Sequence, residues 1–251
     1  MSELLIICPL VFLAGFIDAI AGGGGLISLP AYLFAGLPVH NAIATNKLSS
    51  AMGTTISTLK YGKNGFINFR RGIPCIIFAL IGSGIGANLA LIIPENIFII
   101  IMLVILPFIA FYVLKTKNFD TSRPSFSDSI TLILCLLPAF FIGMYDGFYG
   151  PGTGTFLLLL LTGMARVSLN EAAGTTKVIN LTSNITSLIV YIINGKVIFY
   201  LGLIAGIFSI AGNYMGAKFF TQKGAKILRP IIILVLCIFF CKILLENFIF
   251  T

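Results

Sequence analysis

Two lysines and two aspartates, Lys47, Lys177, Asp18 and Asp146, stand inside apolar stretches of this chain. A lysine at the centre of a membrane helix costs roughly 2.5–3.5 kcal/mol on insertion scales. Two fixed cations in one interior would be compensated by a water-lined cavity, a carboxylate or a bound anion. The four residues belong to one segment used twice. Gly15-Phe-Ile-Asp18 leads into Gly22–Gly25, and Gly143-Met-Tyr-Asp146 leads into Gly150-Pro-Gly-Thr153. Lys177 follows Lys47 by 130 residues, and Ser57, Tyr61, Asn64, Gly65, Phe69, Gly72, Gly82 and Gly86 recur at that same offset. Polar residues mirrored in a duplicated apolar unit are a pointer to a secondary transporter.

The lysines have polar company. Thr45 and Asn46 precede Lys47, and Thr175 and Thr176 precede Lys177; Ser49, Ser50, Thr54, Asn180, Ser183 and Asn184 follow. Such segments are too polar to face lipid, which favours a wet interior over lysines snorkelling to the interface. Lys47, Lys177, Thr45, Asn46, Thr175 and Thr176 are therefore the candidate binding side chains. The candidate backbone donors are Gly23, Gly24, Gly25, Gly152 and Thr153. Glycine and proline penalise a helix by about 1 and 3 kcal/mol, so the chain should break there and restart. The first N–H groups of a restarted helix are unpaired and carry the positive end of its dipole, which suits an anion. Ser28, Thr153 and Thr155 offer hydroxyls, and a glycine hinge for tight helix crossing is compatible with both roles. Asp18 and Asp146, just before the breaks, are suited to pairing with a lysine or capping broken helices, ahead of carrying a proton. His40, the single histidine, falls at the outer end of its segment and reads as interfacial.

Positioning these groups requires membrane helices. A hydrophobic fraction of 58% with 10% charged residues excludes an ordinary soluble domain, in which about 25% are charged. Apolar runs near 4–21, 25–36, 41–60, 72–93 and 96–114 fill the first half. Runs near 129–147, 153–165, 171–192, 197–217 and 229–249 fill the second. The second and seventh are short and follow glycine breaks, as half-helices or re-entrant pieces do. Lys60, Lys63, Arg70, Arg71, Lys115, Lys117, Arg123, Arg166, Lys218, Lys223, Lys226 and Arg229 supply twelve of the sixteen basic residues. Five segments per half bring all their loops to one face, the cytoplasmic one by the positive-inside rule. The expected organisation is one all-α transmembrane domain. Residues 1–115 and 129–251 form two inverted repeats, a cytoplasmic linker over 116–128 joins them, and both termini lie outside. Glycines 82, 84, 86, 212 and 216 read as close helix packing, since no strand precedes a dinucleotide loop. The net charge of +8 serves orientation rather than nucleic acid, and five dispersed cysteines give no metal site; no cofactor is implied.

The motifs Gly22–Pro30, Thr45-Asn46-Lys47, Gly150–Gly154 and Gly174-Thr-Thr-Lys177-Val-Ile-Asn180 resemble the sulfite exporter TauE/SafE family, also described as toluene sulfonate uptake permeases. The resemblance spans essentially the whole chain. Pro151 interrupts the second glycine run and Thr176 replaces Asn46, so the half-sites need not contribute equally. The resemblance implies transport of sulfur-containing anions across a bacterial inner membrane, with substrate and direction varying among members. With no nucleotide motif, ion or substrate gradients, protons among them, would drive it. The alternatives are a passive anion channel, which could not concentrate substrate, and an intramembrane enzyme, for which His40 has no serine at a catalytic spacing.

Overall fold

The computed structural model describes residues 2–94 and 126–223, and these form eight α-helices with no strand. The first half holds α1 (Ser2–Ala21), α2 (Gly25–Phe34), α3 (Val39–Lys63) and α4 (Phe69–Ile92). The second holds α5 (Asp128–Phe148), α6 (Thr153–Gly163), α7 (Leu169–Ile193) and α8 (Phe199–Lys223). The expected segments near 96–114 and 229–249, and most of the linker, lie outside the described residues. Five helices, α1, α4, α5, α7 and α8, are long and apolar enough to cross a membrane. α3 has the length, 25 residues or about 37 Å, but its run of threonines, serines and Lys47 takes it off that tally. α2 and α6, at 10 and 11 residues, each rise about 15 Å, half the hydrocarbon thickness.

Local sequence sets the helix ends. Asn68 opens α4 by accepting the Arg70 N–H at 3.1 Å. Ser168 opens α7 by accepting the Glu171 N–H at 3.4 Å, with the Ser-x-x-Glu spacing of a capping box. α3 and α7 end alike. Gly65 and Gly195 take φ of +72° and +65°, and the following N–H groups reach back to the carbonyls of Tyr61 and Tyr191 at 3.0 Å. This Schellman-type closure needs a left-handed residue, which glycine supplies.

The two halves exchange partners. α1 packs along α8, α5 packs along α4, and α3 and α7 lie against each other. The small residues make this possible. A side chain at Gly82 or Gly86 would overlap the carbonyls of Phe140 or Met144 on α5, and one at Gly212 or Gly216 those of Phe12 or Phe16 on α1. The close packing expected of these four glycines is present at both seams, whereas Gly84, expected to share it, faces away from the seam and a Cβ there would meet only Thr186 Cγ2 at 3.7 Å. Exposed leucines and isoleucines on α4, α5 and α8, among them Ile77, Ile81, Ile133 and Ile207, face outward as a lipid-contacting surface.

Candidate functional site

The two helix breaks meet at the centre of the bundle. Gly22 adopts φ +73°, and any side chain there would overlap the backbone of Gly154. An ideal Cβ at Gly25 would lie 3.0 Å from Pro151 Cα. Thr155 ties the breaks together, donating its hydroxyl to the Ala21 carbonyl at 2.7 Å. The N–H groups of Gly24 and Gly25 donate to no backbone carbonyl among the described residues, as the first turn of α2 requires.

Each lysine reaches across this crossing to the aspartate of the other half. Lys47 Nζ on α3 lies 2.9 Å from Asp146 Oδ1 on α5, both side chains only 3% exposed. Lys177 Nζ on α7 lies 2.7 Å from Asp18 Oδ2 on α1, at 3% and 14% exposure. A buried ion pair is tolerated only when its remaining hydrogen-bonding capacity is met, and here the two pairs differ. Asp146 is surrounded: the Thr153 hydroxyl lies 2.9 Å from its Oδ1 and the Ser183 hydroxyl donates to its Oδ2. Lys47 also donates to Asn184 Oδ1 at 3.2 Å, and Asn184 donates in turn to Asn180 Oδ1 at 3.0 Å. Gly150, at φ +100°, has no side chain for a reason; a Cβ would sit 2.8 Å from Asp146 Oδ1 and 3.1 Å from Lys47 Nζ. Among the described residues Asp18 receives Lys177 alone on its carboxylate, and Lys177 also donates to the Asp18 carbonyl. Tyr61 and Tyr191 brace the next peptide in each half, donating to the carbonyls of Ala19 at 2.5 Å and Gly147 at 3.3 Å.

Between the pairs lies a polar cavity of about 30 Å³, room for one or two waters. Of the sequence candidates, Lys47, Asn46, Gly24, Gly25, Ser28, Thr153, Asp18 and Asp146 line it. The others lie outside its wall. Lys177 stands behind Asp18; Thr45 accepts the Ile198 N–H at 3.1 Å, fixing the approach to α8. Thr175 is buried, the buried Thr176 hydroxyl has no partner among the described residues, and Gly23 and Gly152 shape the breaks. His40 sits at the start of α3, its Nε2 2.9 Å from the Ala90 carbonyl. Among the described residues no cluster of His, Cys, Asp and Glu could hold a metal ion.

Two polar cavity residues were not singled out from the sequence, Ser209 and Asn213 on α8. Their route in is carved by glycines. An ideal Cβ at Gly15 would meet Asn213 Nδ2 at 2.9 Å, and one at Gly53 would overlap both Ser209 Oγ and Asn213 Nδ2. The available signal was an asparagine inside an otherwise apolar helix, opposite glycines in two other segments.

The comparisons with known proteins agree with this architecture. The sequence model described as "Sulfite exporter TauE/SafE" matches residues 7–243. The chain is 37% identical over 225 residues to a probable membrane transporter protein, ORF9, of a Sinorhizobium species, covering 89% of this chain and 85% of that one. It is 34% identical over 228 residues to a probable membrane transporter protein of Haemophilus influenzae (89% and 87% covered). With the Escherichia coli probable membrane transporter protein YfcA it shares 33% over 238 residues (94% and 87%). No solved structure matches. Apolar helices, paired buried charges and a family match over nearly the full length make this chain a multi-pass membrane transporter of the sulfite exporter TauE/SafE family.

Proposed function

We propose that the protein is a secondary transporter that moves a small, sulfur-containing anion across the bacterial inner membrane by alternating access. The observation that carries this reading is the pair of Lys–Asp bridges, each joining one half of the chain to the other across the cavity. Rocking of one half against the other would strain bridges that cross between the halves, which suits a site held between two gates. The partner exchange between halves, the repeated motifs and the basic loops support an inverted arrangement with both termini outside.

The cavity offers what an anion needs. Lys47, bridged to Asp146, supplies N–H donors; Ser28, Ser50, Thr54, Asn184 and Asn213 supply polar groups; Gly24 and Gly25 supply backbone N–H at the start of α2. At about 30 Å³ it is too small for sulfite or a sulfonate, so substrate entry requires the helices to part. Lys177 acts through Asp18 and comes into play when that bridge loosens.

Purified protein should be stabilised by sulfur anions in a thermal screen of sulfite, sulfate, thiosulfate, alkylsulfonates and carboxylates. A ligand at about 100 times its dissociation constant adds roughly 2.7 kcal/mol to the bound state. Lys47→Ala should abolish the shift and uptake into proteoliposomes. A stabilising carboxylate with silent sulfur anions would move the substrate class, and no response from any anion would remove the anion reading.

A further inference from the structure

The four interior charges balance: Lys47 and Lys177 against Asp18 and Asp146, each lysine already bridged to a carboxylate. An anion entering the cavity therefore meets no spare positive charge among the described residues. It would bring an uncompensated negative charge beside two carboxylates in a weakly solvated interior, a costly arrangement. One proton on one of those carboxylates restores neutrality. We propose that the anion crosses together with one proton and that Asp18, rather than Asp146, carries it. This assignment rests on the anion-transport reading above.

The geometry distinguishes the two aspartates. Asp146 meets Lys47 and the Ser183 hydroxyl, has the Thr153 hydroxyl 2.9 Å from its Oδ1, and is only 3% exposed. Among the described residues Asp18 has one side-chain donor, Lys177, which reaches Oδ2 and not Oδ1, and it is the more exposed of the pair at 14% against 3%. Protonating Asp18 does not strand its lysine, because Lys177 also donates to the Asp18 backbone carbonyl. The proton enters from water on the side where the anion enters and leaves to water on the other side. While it is bound, Lys177 supplies the positive charge that balances the anion.

The groups facing Asp18 are few. Lys177 comes from α7 and Tyr61 from α3, while Lys47 of α3 and Asp146 of α5 line the same cavity. Tyr32 of α2 is committed to the Ser49 hydroxyl at 2.8 Å. α6 presents no titratable side chain, and Tyr200, Tyr214 and Lys218 of α8 are exposed away from the cavity. No histidine competes for the proton at this site.

The test uses methanesulfonate, which stays ionised over the working pH range, and measures binding and proton uptake in weakly buffered detergent solution. Wild-type protein should take up one proton per anion bound, and over the pH range in which it does so its dissociation constant should rise about tenfold per pH unit. Asp18→Asn should bind with an affinity independent of pH and take up no proton. In proteoliposomes it should keep counterflow and lose accumulation driven by a pH gradient. Asp18→Glu, which preserves the charge and the bridge, should keep the coupling, and it serves if the asparagine variant fails to fold. Proton uptake surviving in Asp18→Asn, pH-independent wild-type binding, or dependence on sodium instead of pH would each overturn the assignment. If wild-type protein binds neither methanesulfonate nor sulfite, it is the sulfur-anion reading that falls, and this assignment with it.

Discussion

Breaking the Lys47–Asp146 bridge should be costly, and removing both partners should restore much of the loss. At 2.9 Å the pair attracts by about 6 kcal/mol at an effective dielectric constant of 20, and most of this offsets the desolvation of two charges. Deleting one partner leaves that desolvation uncompensated, at about 3–5 kcal/mol for a buried pair. The two single substitutions should not be equal. Lys47→Met leaves Asp146 with the hydroxyls of Thr153 and Ser183, whereas Asp146→Asn leaves the Lys47 ammonium with Asn184 and no carboxylate. Asp146→Asn belongs at the upper end of the range and Lys47→Met at the lower. The double variant carries no bare charge, so it should be more stable than the sum of the two losses by about 2–3 kcal/mol. Equilibrium unfolding in mixed micelles, run as a double-mutant cycle, measures this coupling. Arg71 with Asp128 is the control: the bridge is 2.7 Å long, but Asp128 is 74% exposed, and its coupling should stay below about 1 kcal/mol. Additivity of the Lys47 and Asp146 losses within about 0.5 kcal/mol would refute the reasoning.

The duplication was legible because polar residues are rare in such a chain, so their recurrence at one offset stands out. The glycine seams were legible for the same reason: spacing of four along a helix puts small residues on one face, and Gly82, Gly86, Gly212 and Gly216 indeed meet backbone there. Helix ends were harder. Hydropathy placed one segment near 41–60, whereas α3 runs Val39–Lys63, because Pro38 and the Asn64-Gly65 closure set its limits and both extend past the apolar stretch. The pairing of charges was legible only in kind. A repeat says which residues are equivalent, but it does not say whether Lys47 meets Asp18 in its own half or Asp146 in the other. That choice depends on how α3 and α7 lie together, a contact between residues 137 apart at Lys47 and Asn184. Asn213 was missed because its place depends on glycines in two distant helices, and no periodicity within α8 reports that.

The duplicated frame therefore encloses an unequal site. Ser183 clasps Asp146, and the equivalent position in the first half is Gly53, which instead makes room for Ser209 and Asn213. The residues matching Ser209 and Asn213 at the same offset are Ala79 and Ser83, and Ala79 merely packs against Gly143. The cavity accordingly gathers on the side of Asp18, while Asp146 is closed in by hydroxyls. Equivalent helices hold equivalent lysines and aspartates, and one substitution, glycine against serine, makes their surroundings differ. On the alternating-access reading proposed above, the closely held pair would give the moving halves a common reference, and the less constrained pair would respond to the ligand.

Gly22→Ala should abolish folding and expression, since the added methyl would overlap the Gly154 backbone at φ +73°. Gly36→Ala shares a positive φ, +87°, but meets nothing within 4 Å, and should cost only about 1–2 kcal/mol of backbone strain. Tyr61→Phe and Tyr191→Phe should each lose about 1 kcal/mol in unfolding experiments, the net worth of one hydrogen bond to the Ala19 or Gly147 carbonyl. Gly53→Ala bears on the unequal site directly. Its methyl would displace Ser209 and Asn213, overpacking that costs about 1–3 kcal/mol, and anion binding should weaken because Asn213 leaves the cavity wall. Adding Asn213→Ala should recover part of the stability by removing one of the two clashes, the Ser209 contact remaining, while leaving anion binding weak. If the second substitution deepens the stability loss, or if Gly53→Ala alone binds anion as wild type does, the pocket between Gly15 and Gly53 does not position Asn213 for the ligand.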